Sequence, residues 1–410
     1  MRGREITDVE IDGEKTAWNA IELPRAPGNV ELRWRVRIEP GENAIELPTC
    51  GGRAALAVDG VAVSARDAGP AVVSLSAGEH VVSAHVTVSG YEKRIACGAA
   101  ARVGAVESVH EGLLRLTFTS PHASAGGGHA VAFVPPGHDG SKPSAMLVLV
   151  HPWNGSTWTY GAYAELLDEA AKRDVVLLFP SGLGNSLYTA PAEDEVMRAM
   201  AAMESRVAID ATRVSIAGAS MGGAGATTIG FHRPDRFASI TSFFGDSKYD
   251  LATYVRPILR DEAGAHAVNA ADVADNARNV PVWLVHGEDD RVSPIAQSEI
   301  LAHALAARGI AVRFDRVPGM GHAGALFARF ARELVARASE VRAVVHPSRV
   351  TYRTVRAGDR CAYGVCLERV RAGDAFVDVE RGSDGSAHVH RAENVRGIVW
   401  DGQAVDVTAR

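Results

Sequence analysis

Lysine, cysteine and long apolar runs are scarce in this sequence, and each shortage narrows what the protein can be. Five of the 43 basic residues are lysine, and the basic residues are interleaved with acidic ones instead of forming a stripe. A nucleic-acid partner is therefore not expected, because such partners bind clustered positive charge. The longest apolar runs, such as residues 145–150, fall far short of the roughly 18–20 residues of a membrane span. Membrane association is not expected either.

The few cysteines bear on compartment and metal binding. They are Cys50, Cys97, Cys361 and Cys366. The first residues are charged and contain no apolar stretch, so we expect no signal peptide and a cytoplasmic protein with reduced thiols. Cys361 and Cys366 have no second cysteine pair or histidine cluster to complete a zinc site, so no metal is expected. Export would instead make a Cys50–Cys97 disulfide plausible.

The overall composition is that of a globular protein with more than one domain. The chain has 410 residues, of which 47% are hydrophobic and 22% charged, and its net charge is −6. These values exclude a disordered, collagen-like or coiled-coil chain. The length predicts two or three domains.

Alternating polar and apolar residues at both ends of the chain predict β-structure. Residues 31–38 alternate as a half-buried strand does, and Asp59-Gly60 separates two apolar runs as a two-residue hairpin turn. Gly78-Glu79 is predicted as a further turn. We therefore predict an N-terminal β-sandwich over residues 1–112 and a small β-rich module over residues 343–410.

Residues 113–342 have a different rhythm, in which short apolar strands alternate with helical patterns. The predicted strands cover residues 113–119, 130–134, 146–150, 175–179, 214–217, 239–243, 282–285 and 312–316. Alternation of this kind indicates βαβ units around a mostly parallel sheet. The fold class of this domain is therefore α/β, with a mostly parallel sheet flanked by helices.

The segment that carries the most chemical information reads VSIAGASMGG and surrounds Ser220. A predicted strand runs directly into Gly218-Ala219-Ser220-Met221-Gly222, and a helical pattern follows. This is the G-x-S-x-G pattern of a nucleophile elbow, a strand–turn–helix segment in which a tight turn lifts the serine hydroxyl above the sheet. Ser220 is therefore the predicted nucleophile.

A serine hydroxyl needs a base, and that base needs a carboxylate to orient it. His322 follows the last predicted strand in a glycine-rich loop that can return its imidazole to the serine, so it is the predicted base. Candidates for the acid follow two strands. They are Glu288, Asp289 and Asp290 in the segment WLVHGEDDRVSP, and Asp246 in the segment FFGDSKYD. The residues alone leave the choice open.

These motifs, in this order, resemble the α/β-hydrolase superfamily over roughly residues 113–340. The family's acid loop is similar to the segment with His286, Gly287, Asp290 and Pro294, although Ser293 stands where valine is common. The resemblance implies that Asp290 is the acid. The elbow and the loop around His322 look most like the esterase and prolyl-oligopeptidase-like branch, which includes S9-like peptidases.

An oxyanion hole requires two backbone N–H donors. One is expected from Met221, which follows the nucleophile. The other is expected from the loop after residues 146–150, where family members usually have His-Gly and this chain has His-Pro. Because proline has no N–H, we expect Trp153 to be the donor, with Asn154 as the alternative. The same loop contains our candidate substrate-binding residues Asn154, Trp158 and Tyr160.

Taken together, the sequence predicts a serine hydrolase that cleaves a carboxylic ester of a small or oligomeric substrate through an acyl-enzyme. The alternatives are an S9-like peptidase or amidase with the same residues, an acyltransferase or thioesterase, and an inactive binding scaffold. No cofactor is expected, because no dinucleotide, phosphate-loop or metalloprotease motif occurs. A carbohydrate partner would fit the N-terminal domain, which vaguely resembles sugar-binding β modules.

Overall fold

The computed structural model describes residues 2–6, 8–11, 14–17, 28–39, 44–47, 54–63, 71–74, 78–88, 101–105, 112–122 and 127–407. The chain divides into two compact units. The first comprises Met1–Leu113 with Asn154–Thr159, and the second comprises Leu114–Trp153 with Tyr160–Arg410. The division into three domains that the sequence suggests stays a prediction.

The first unit contains antiparallel β-structure. Its strands are β1 (Arg2–Ile6), β2 (Asp8–Ile11), β3 (Glu14–Ala17), β4 (Gly28–Ile38), β5 (Ala44–Leu47), β6 (Ala54–Val58), β7 (Val61–Val63), β8 (Ala71–Ser74), β9 (Gly78–Val88) and β10 (Ala101–Ala105). They form two four-stranded sheets, in the orders β1-β10-β5-β8 and β4-β9-β6-β7, and the hairpin β2-β3.

Two turns predicted in this unit have different outcomes. Asp59 and Gly60 both have positive φ and join β6 to β7, as a two-residue hairpin requires. The turn predicted at Gly78-Glu79 is wrong, because both residues pair with β4 as the first residues of β9. The strands β8 and β9 lie in different sheets and therefore form no hairpin.

The second unit is built on an eight-stranded sheet. Its strands are β11 (Leu113–Thr119), β12 (Gly127–Phe133), β13 (Ser144–Val150), β14 (Val175–Pro180), β15 (Ile209–Ala219), β16 (Ser239–Phe243), β17 (Val282–Gly287) and β18 (Val312–Val317). Their order is β11-β12-β14-β13-β15-β16-β17-β18. Every pairing from β14 to β18 is parallel, whereas β12 runs antiparallel to β14. All eight predicted strands are present, and the α/β-hydrolase fold is confirmed.

Helices follow most of these strands. They are α1 (Ala164–Arg173), α2 (Ala190–Glu204), α3 (Met221–His232), α4 (Arg256–Leu259), α5 (Glu262–His266), α6 (Ala296–Ala306) and α7 (Gly324–Glu340). Short 3₁₀ helices cover Tyr160–Ala162, Pro234–Arg236 and Ala270–Asn279. Every residue of α3 is buried, because this helix packs on β15 and β16 at the centre of the unit. In the described part of the chain, no helix has the length and hydropathy that crossing a membrane requires.

The C-terminal strands of the second unit form two further antiparallel sheets. The strands are β19 (Arg349–Thr354), β20 (Cys361–Ala362), β21 (Val365–Arg369), β22 (Ala375–Arg381), β23 (Ala387–Glu393), β24 (Val395–Trp400) and β25 (Gln403–Val405). They enclose a core of their own, with Tyr352, Val377 and Trp400 among its members. The Asn276 side chain ties β19 to helix α3, donating to the carbonyls of Phe231 and Arg353 and accepting from the Arg353 N–H.

The expectation of reduced thiols is wrong for one pair of cysteines. Cys361 and Cys366 face each other across the antiparallel strands β20 and β21, and their sulfur atoms are bonded. Direct opposition in an antiparallel pair brings the two Cα atoms to 4.1 Å, close enough for a disulfide without moving the backbone. Cys50 and Cys97 lie outside the described residues.

Candidate functional site

Ser220 occupies the turn between β15 and α3 in a strained backbone conformation. Its φ and ψ are 57° and −123°, values that a residue with a side chain seldom adopts. The Ser220 N–H donates to the carbonyl of Phe243 at 2.9 Å, which ties the turn to the end of the neighbouring strand β16. The strained turn presents the serine hydroxyl at the carboxyl edge of the sheet.

The glycines on either side of Ser220 are required by close backbone contacts. A Cβ atom at Gly222 would overlap the carbonyl oxygen of Val150, and one at Gly218 would overlap the backbone of Gly222. Strand β13, the turn and the first residues of α3 therefore approach one another closely through their main-chain atoms. This explains physically why the elbow places glycine two residues before and two residues after the serine.

Three predicted residues from three different segments meet at this edge. The Nε2 atom of His322 lies 2.8 Å from the Ser220 Oγ, and its Nδ1 atom lies 2.7 Å from the Oδ2 of Asp290. Asp290 is only 6% exposed, and its Oδ1 accepts the N–H groups of Val292 and Ser293. The arrangement can draw a proton from the hydroxyl to the imidazole and stabilise the resulting positive charge.

The loops that carry Asp290 and His322 are packed against each other. The Asp289 N–H donates to the carbonyl of Met320 at 3.0 Å, and a Cβ atom at Gly287 would overlap that same carbonyl. Inside the acid loop, the buried His286 ring lies 2.8 Å from the Ser293 carbonyl and 2.8 Å from the Ser298 hydroxyl. Burial lowers the pKa of His286, so its ring is held neutral while it bridges the loop.

The other acid candidates have different surroundings. Glu288 and Asp289 are exposed. Asp246 follows β16 and is half-buried, and its Oδ1 accepts the Ser293 hydroxyl at 2.6 Å. Burial raises the pKa of Asp246. The contact with the His322 ring is thus made by Asp290, and Asp246 is joined to the acid loop through Ser293.

The two predicted oxyanion donors come from segments next to the elbow. Met221 is the first residue of α3, so its N–H has no acceptor within the helix. Trp153 is half-buried after β13 and packs edge-on against the ring of Tyr254, with 5.0 Å between ring centroids. The preceding His151 is fully buried, its ring nitrogens lie 2.8 Å from the carbonyls of Pro152 and Ser181, and burial lowers its pKa.

Tyr160 does not line a pocket, contrary to the expectation from the sequence. It is 1% exposed. Its hydroxyl donates to the carbonyl of Val150 at 3.0 Å and accepts the N–H of Ala219 at 3.0 Å. The ring packs on Phe327 at 4.8 Å. Tyr160 therefore supports the strand ends below Ser220, and burial raises the pKa of its phenol.

Asn154 and Trp158 belong to a tight turn that is assigned to the first unit. Asn154 is exposed with φ of 57°, and Trp158 is half-buried. The turn is closed by hydrogen bonds between Ser156 and Thr159. A substrate-binding role for Asn154 and Trp158 stays a prediction.

The sequence pattern did not indicate three aromatic residues near the site. Phe244 packs edge-on against the His322 ring at 4.7 Å and has φ of 40°. Tyr249 and Tyr254 lie in the segment after β16, where only Asp246 had drawn attention. Aromatic residues in a loop match no sequence motif. Their distance from Ser220 in space depends on the path of the loop, which the sequence does not indicate. In the described part of the chain, no group of three or more His, Cys, Asp or Glu side chains is arranged to hold a metal ion.

The model of the prolyl oligopeptidase family, Peptidase_S9, matches residues 186–340, a stretch that includes Ser220, Asp290 and His322. The comparison with curated proteins found no match. The family match over this part of the chain confirms the predicted resemblance, and the sheet order is that of the α/β-hydrolase fold.

Several solved structures are similar to this chain. An S-formylglutathione hydrolase from Agrobacterium tumefaciens aligns with a TM-score of 0.49 and 16% identity over 57% of this chain and 97% of its own. A putative dipeptidyl aminopeptidase IV from Bacteroides ovatus aligns with a TM-score of 0.48 and 14% identity, over 62% of this chain and 39% of its own. A thermostable esterase aligns with a TM-score of 0.46 and 14% identity, over 76% of this chain and 95% of its own. The fold assignment of this chain rests on its own sheet order.

Proposed function

We propose that this protein is a serine hydrolase that cleaves a carboxylic ester, with Ser220 as nucleophile, His322 as general base and Asp290 as the orienting acid. The observation that carries the proposal is the chain of hydrogen bonds from Ser220 Oγ through His322 to Asp290, at 2.8 and 2.7 Å. Support also comes from the strained backbone of Ser220, because strain of this kind persists where the surrounding structure holds it in place.

In the proposed mechanism the Ser220 oxygen attacks the ester carbonyl while its proton passes to the Nε2 of His322. Asp290 keeps the other imidazole nitrogen protonated and stabilises the imidazolium. The tetrahedral intermediate collapses to an acyl-enzyme, and His322 returns the proton to the departing alcohol. Water then gives a proton to His322 and attacks the acyl group. The second tetrahedral intermediate releases the carboxylic acid, and His322 returns the proton to the Ser220 oxygen.

The negative oxygen of the intermediate would be bound by the backbone N–H groups of Met221 and Trp153. The position of Met221 at the start of α3 supports this role, because the helix dipole favours negative charge there. For Trp153, the supporting argument is that the preceding Pro152 has no N–H to offer.

Cleavage of a peptide or other amide is the second candidate, and the match to the prolyl oligopeptidase family favours it. The two reactions share the same residues and differ in the leaving group. An alcohol leaves more readily than an amine, which must be protonated by His322 as it departs. An active site with this machinery is therefore expected to turn over esters whichever bond is its natural substrate.

The nucleophile is tested by labelling the protein with a fluorophosphonate probe and sequencing the modified peptide by mass spectrometry. We expect attachment at Ser220 that is lost in Ser220→Ala and His322→Ala. Ser205→Ala, which removes an exposed hydroxyl at the end of α2, serves as the matched control and should label normally. Absence of labelling in folded wild-type protein would contradict the proposal.

The bond class is tested by comparing 4-nitrophenyl butyrate with aminoacyl 4-nitroanilides. Ester hydrolysis with little or no anilide cleavage would support the esterase proposal. Anilide cleavage with a kcat/KM similar to that for the ester would make the peptidase the better description, while leaving the roles of Ser220, Asp290 and His322 unchanged.

A further inference from the structure

The segment between β16 and α4 crosses the carboxyl edge of the sheet beside Ser220. It leaves β16 at Phe243, and its Tyr254 packs against Trp153, which follows β13. In the sheet, β15 lies between β13 and β16, and β15 is the strand that ends at Ser220. A segment that starts at β16 and touches the loop of β13 must therefore span the position of the nucleophile.

Asp246 stands at the start of this crossing segment and is fixed in place. Gly245, the residue before it, packs so closely on the first turn of α3 that a Cβ atom there would overlap the backbone of Gly223 and Ala224. On the other side, the Asp246 carboxylate accepts the Ser293 hydroxyl at 2.6 Å, and the Ser293 N–H donates to Asp290. The carboxylate is thus held between the helix that begins after Ser220 and the loop of Asp290.

The negative charge of Asp246 is not matched by a basic side chain. Among the salt bridges between described residues, none involves Asp246, although most of the buried or half-buried acids of this unit have an arginine partner, as Asp210 and Glu193 do. Burial raises the pKa of Asp246, and the nearby negative charge of Asp290 raises it further, while His322 and His286 act in the opposite direction. Keeping a half-buried, unmatched carboxylate at this place costs stability.

Two tyrosines follow Asp246 in the same crossing segment. The charge of Asp246 raises the pKa of both Tyr249 and Tyr254, after the larger effect of burial, so both phenols lie within its electrostatic range. The Tyr249 hydroxyl oxygen is buried and finds no hydrogen-bond partner in the described part of the chain. Tyr254 is 56% exposed and stacks edge-on with Trp153. A carboxylate on the same segment as two tyrosines, one of which has an unused phenol oxygen, is a favourable environment for an ammonium group.

We propose that Asp246, with Tyr249, Tyr254 and Trp153, forms a subsite next to Ser220 that binds a positively charged group of the substrate. The preferred substrates are then esters that carry an ammonium group, in which the carboxylate neutralises the charge and the rings contact its alkyl groups. This inference rests on the proposed hydrolysis of esters at Ser220 and specifies the substrate class of that same site.

The test uses pairs of esters that have the same shape and differ in charge. In each pair one ester ends in a trimethylammonium group and the other in a tert-butyl group, with the group on the acyl side in one pair and on the alcohol side in a second. We expect kcat/KM for the cationic ester to exceed that for the neutral ester about tenfold or more in at least one pair. The ratio should fall towards one in Asp246→Asn.

Asp289→Asn is the matched control, because it removes the same charge from an exposed side chain next to Asp290. It should keep the preference for the cation. Equal rates for both members of both pairs, or a preference that survives in Asp246→Asn, would overturn the subsite. So would an equal fall of kcat for both esters in Asp246→Asn with an unchanged ratio, because Asp246 would then act only by positioning Asp290 through Ser293.

A second variant covers the case in which Asp246→Asn does not fold. Tyr254→Ala removes a mostly exposed ring and should lower the cation preference while circular dichroism shows an intact fold. Failure of the subsite and failure of the proposed function give different results. Neutral esters that are hydrolysed and a labelled Ser220, without charge preference, refute the subsite alone. No hydrolysis and no labelling refute both.

Discussion

At the scale of single residues, the two carboxylates of the site have opposite surroundings. Asp290 accepts two backbone N–H groups and contacts the imidazole, whereas Asp246 accepts a single hydroxyl. We expect Asp290→Asn to lower kcat for a neutral ester about 10⁴-fold, because the amide no longer fixes the productive imidazole tautomer. Asp246→Asn should change the same rate far less. Steady-state kinetics of the two variants decide the matter, and a larger loss in Asp246→Asn would make Asp246 the acid.

The raised pKa of Asp246 predicts an effect on stability that depends on pH. A carboxyl group whose pKa is higher in the folded protein than in the unfolded chain stabilises the fold at pH values below its unfolded pKa of about 3.9. This stabilisation is lost as pH rises through the pKa of the folded protein. Asp246→Asn should therefore unfold at higher urea concentration than wild type at pH 7.5, with a smaller difference at pH 4.5. Asp289→Asn is the control for simple loss of charge. A variant less stable than wild type at pH 7.5 would contradict the argument.

At the scale of secondary-structure elements, Tyr160 joins two neighbouring strands below Ser220. Its hydroxyl bonds β13 at Val150 and β15 at Ala219. Tyr160→Phe leaves a buried carbonyl and a buried N–H without partners, so we expect the free energy of unfolding to fall by about 1–3 kcal/mol. Because Ala219 precedes Ser220, kcat should fall while KM changes little.

Tyr163→Phe is the matched control for this substitution. Tyr163 packs on the same Phe327 ring at 5.1 Å and is only half-buried, so loss of its hydroxyl should change the unfolding free energy by well under 1 kcal/mol. Equal effects of the two substitutions, measured by urea denaturation, would show that the hydroxyl of Tyr160 does not stabilise the strand ends.

Elements of the second unit were predictable because their signals are local. Most strands of the large sheet contain a short apolar run, and the glycines that flank Ser220 meet a steric requirement that any strand–turn–helix elbow imposes. The role of Tyr160 was not predictable. Its sequence neighbours place it in an aromatic loop, and only the packing of β13 beside β15 turns its hydroxyl towards two main chains. Likewise, Ser293 looked like a departure from a family pattern, and its bond to Asp246 depends on a segment 47 residues away.

At the scale of the whole molecule, the C-terminal sheets are joined to helix α2 of the second unit through buried charges. Arg356 donates to Glu193 of α2 at 2.5 Å, and both side chains are almost fully buried. Arg233 also pairs with Glu193, and it bonds Asp359 near the C-terminal strands. Arg356 lies 163 residues from Glu193 and Asp359 lies 126 residues from Arg233, so no local pattern could have indicated these two contacts.

Removal of one partner from this buried group should be strongly destabilising. Arg356→Met leaves Glu193 with a weaker set of partners in a buried position, and we expect a loss of about 3–5 kcal/mol in the free energy of unfolding. Arg198→Met, which breaks an exposed pair with Asp194 on the same helix α2, should cost at most about 0.5 kcal/mol. Urea denaturation of both variants checks the contrast, and equal costs would mean that the contact contributes no more than a surface ion pair.

Three buried histidines give the whole molecule a stability that depends on pH below neutrality. Burial lowers the pKa of His151, His232 and His286, and for His232 the charge of Arg356 lowers it further. A histidine kept neutral by the fold contributes full stability above its unfolded pKa of about 6.5, and the contribution is lost as pH falls because the unfolded chain binds the proton first. Each such histidine steepens the loss by up to about 1.4 kcal/mol per pH unit.

We therefore expect the free energy of unfolding to decrease from pH 7.5 to pH 5.5, and the decrease to be smaller in His286→Gln. Ser298→Ala is the matched control, because it removes a hydrogen-bond partner of the ring and keeps the histidine, so its slope against pH should match that of wild type. Urea denaturation at several pH values between 5.5 and 7.5 measures the slopes. A slope in His286→Gln equal to that of wild type would show that protonation of the unfolded chain at this position does not drive the loss, and the buried ring would then contribute through the bridge it makes in the acid loop alone.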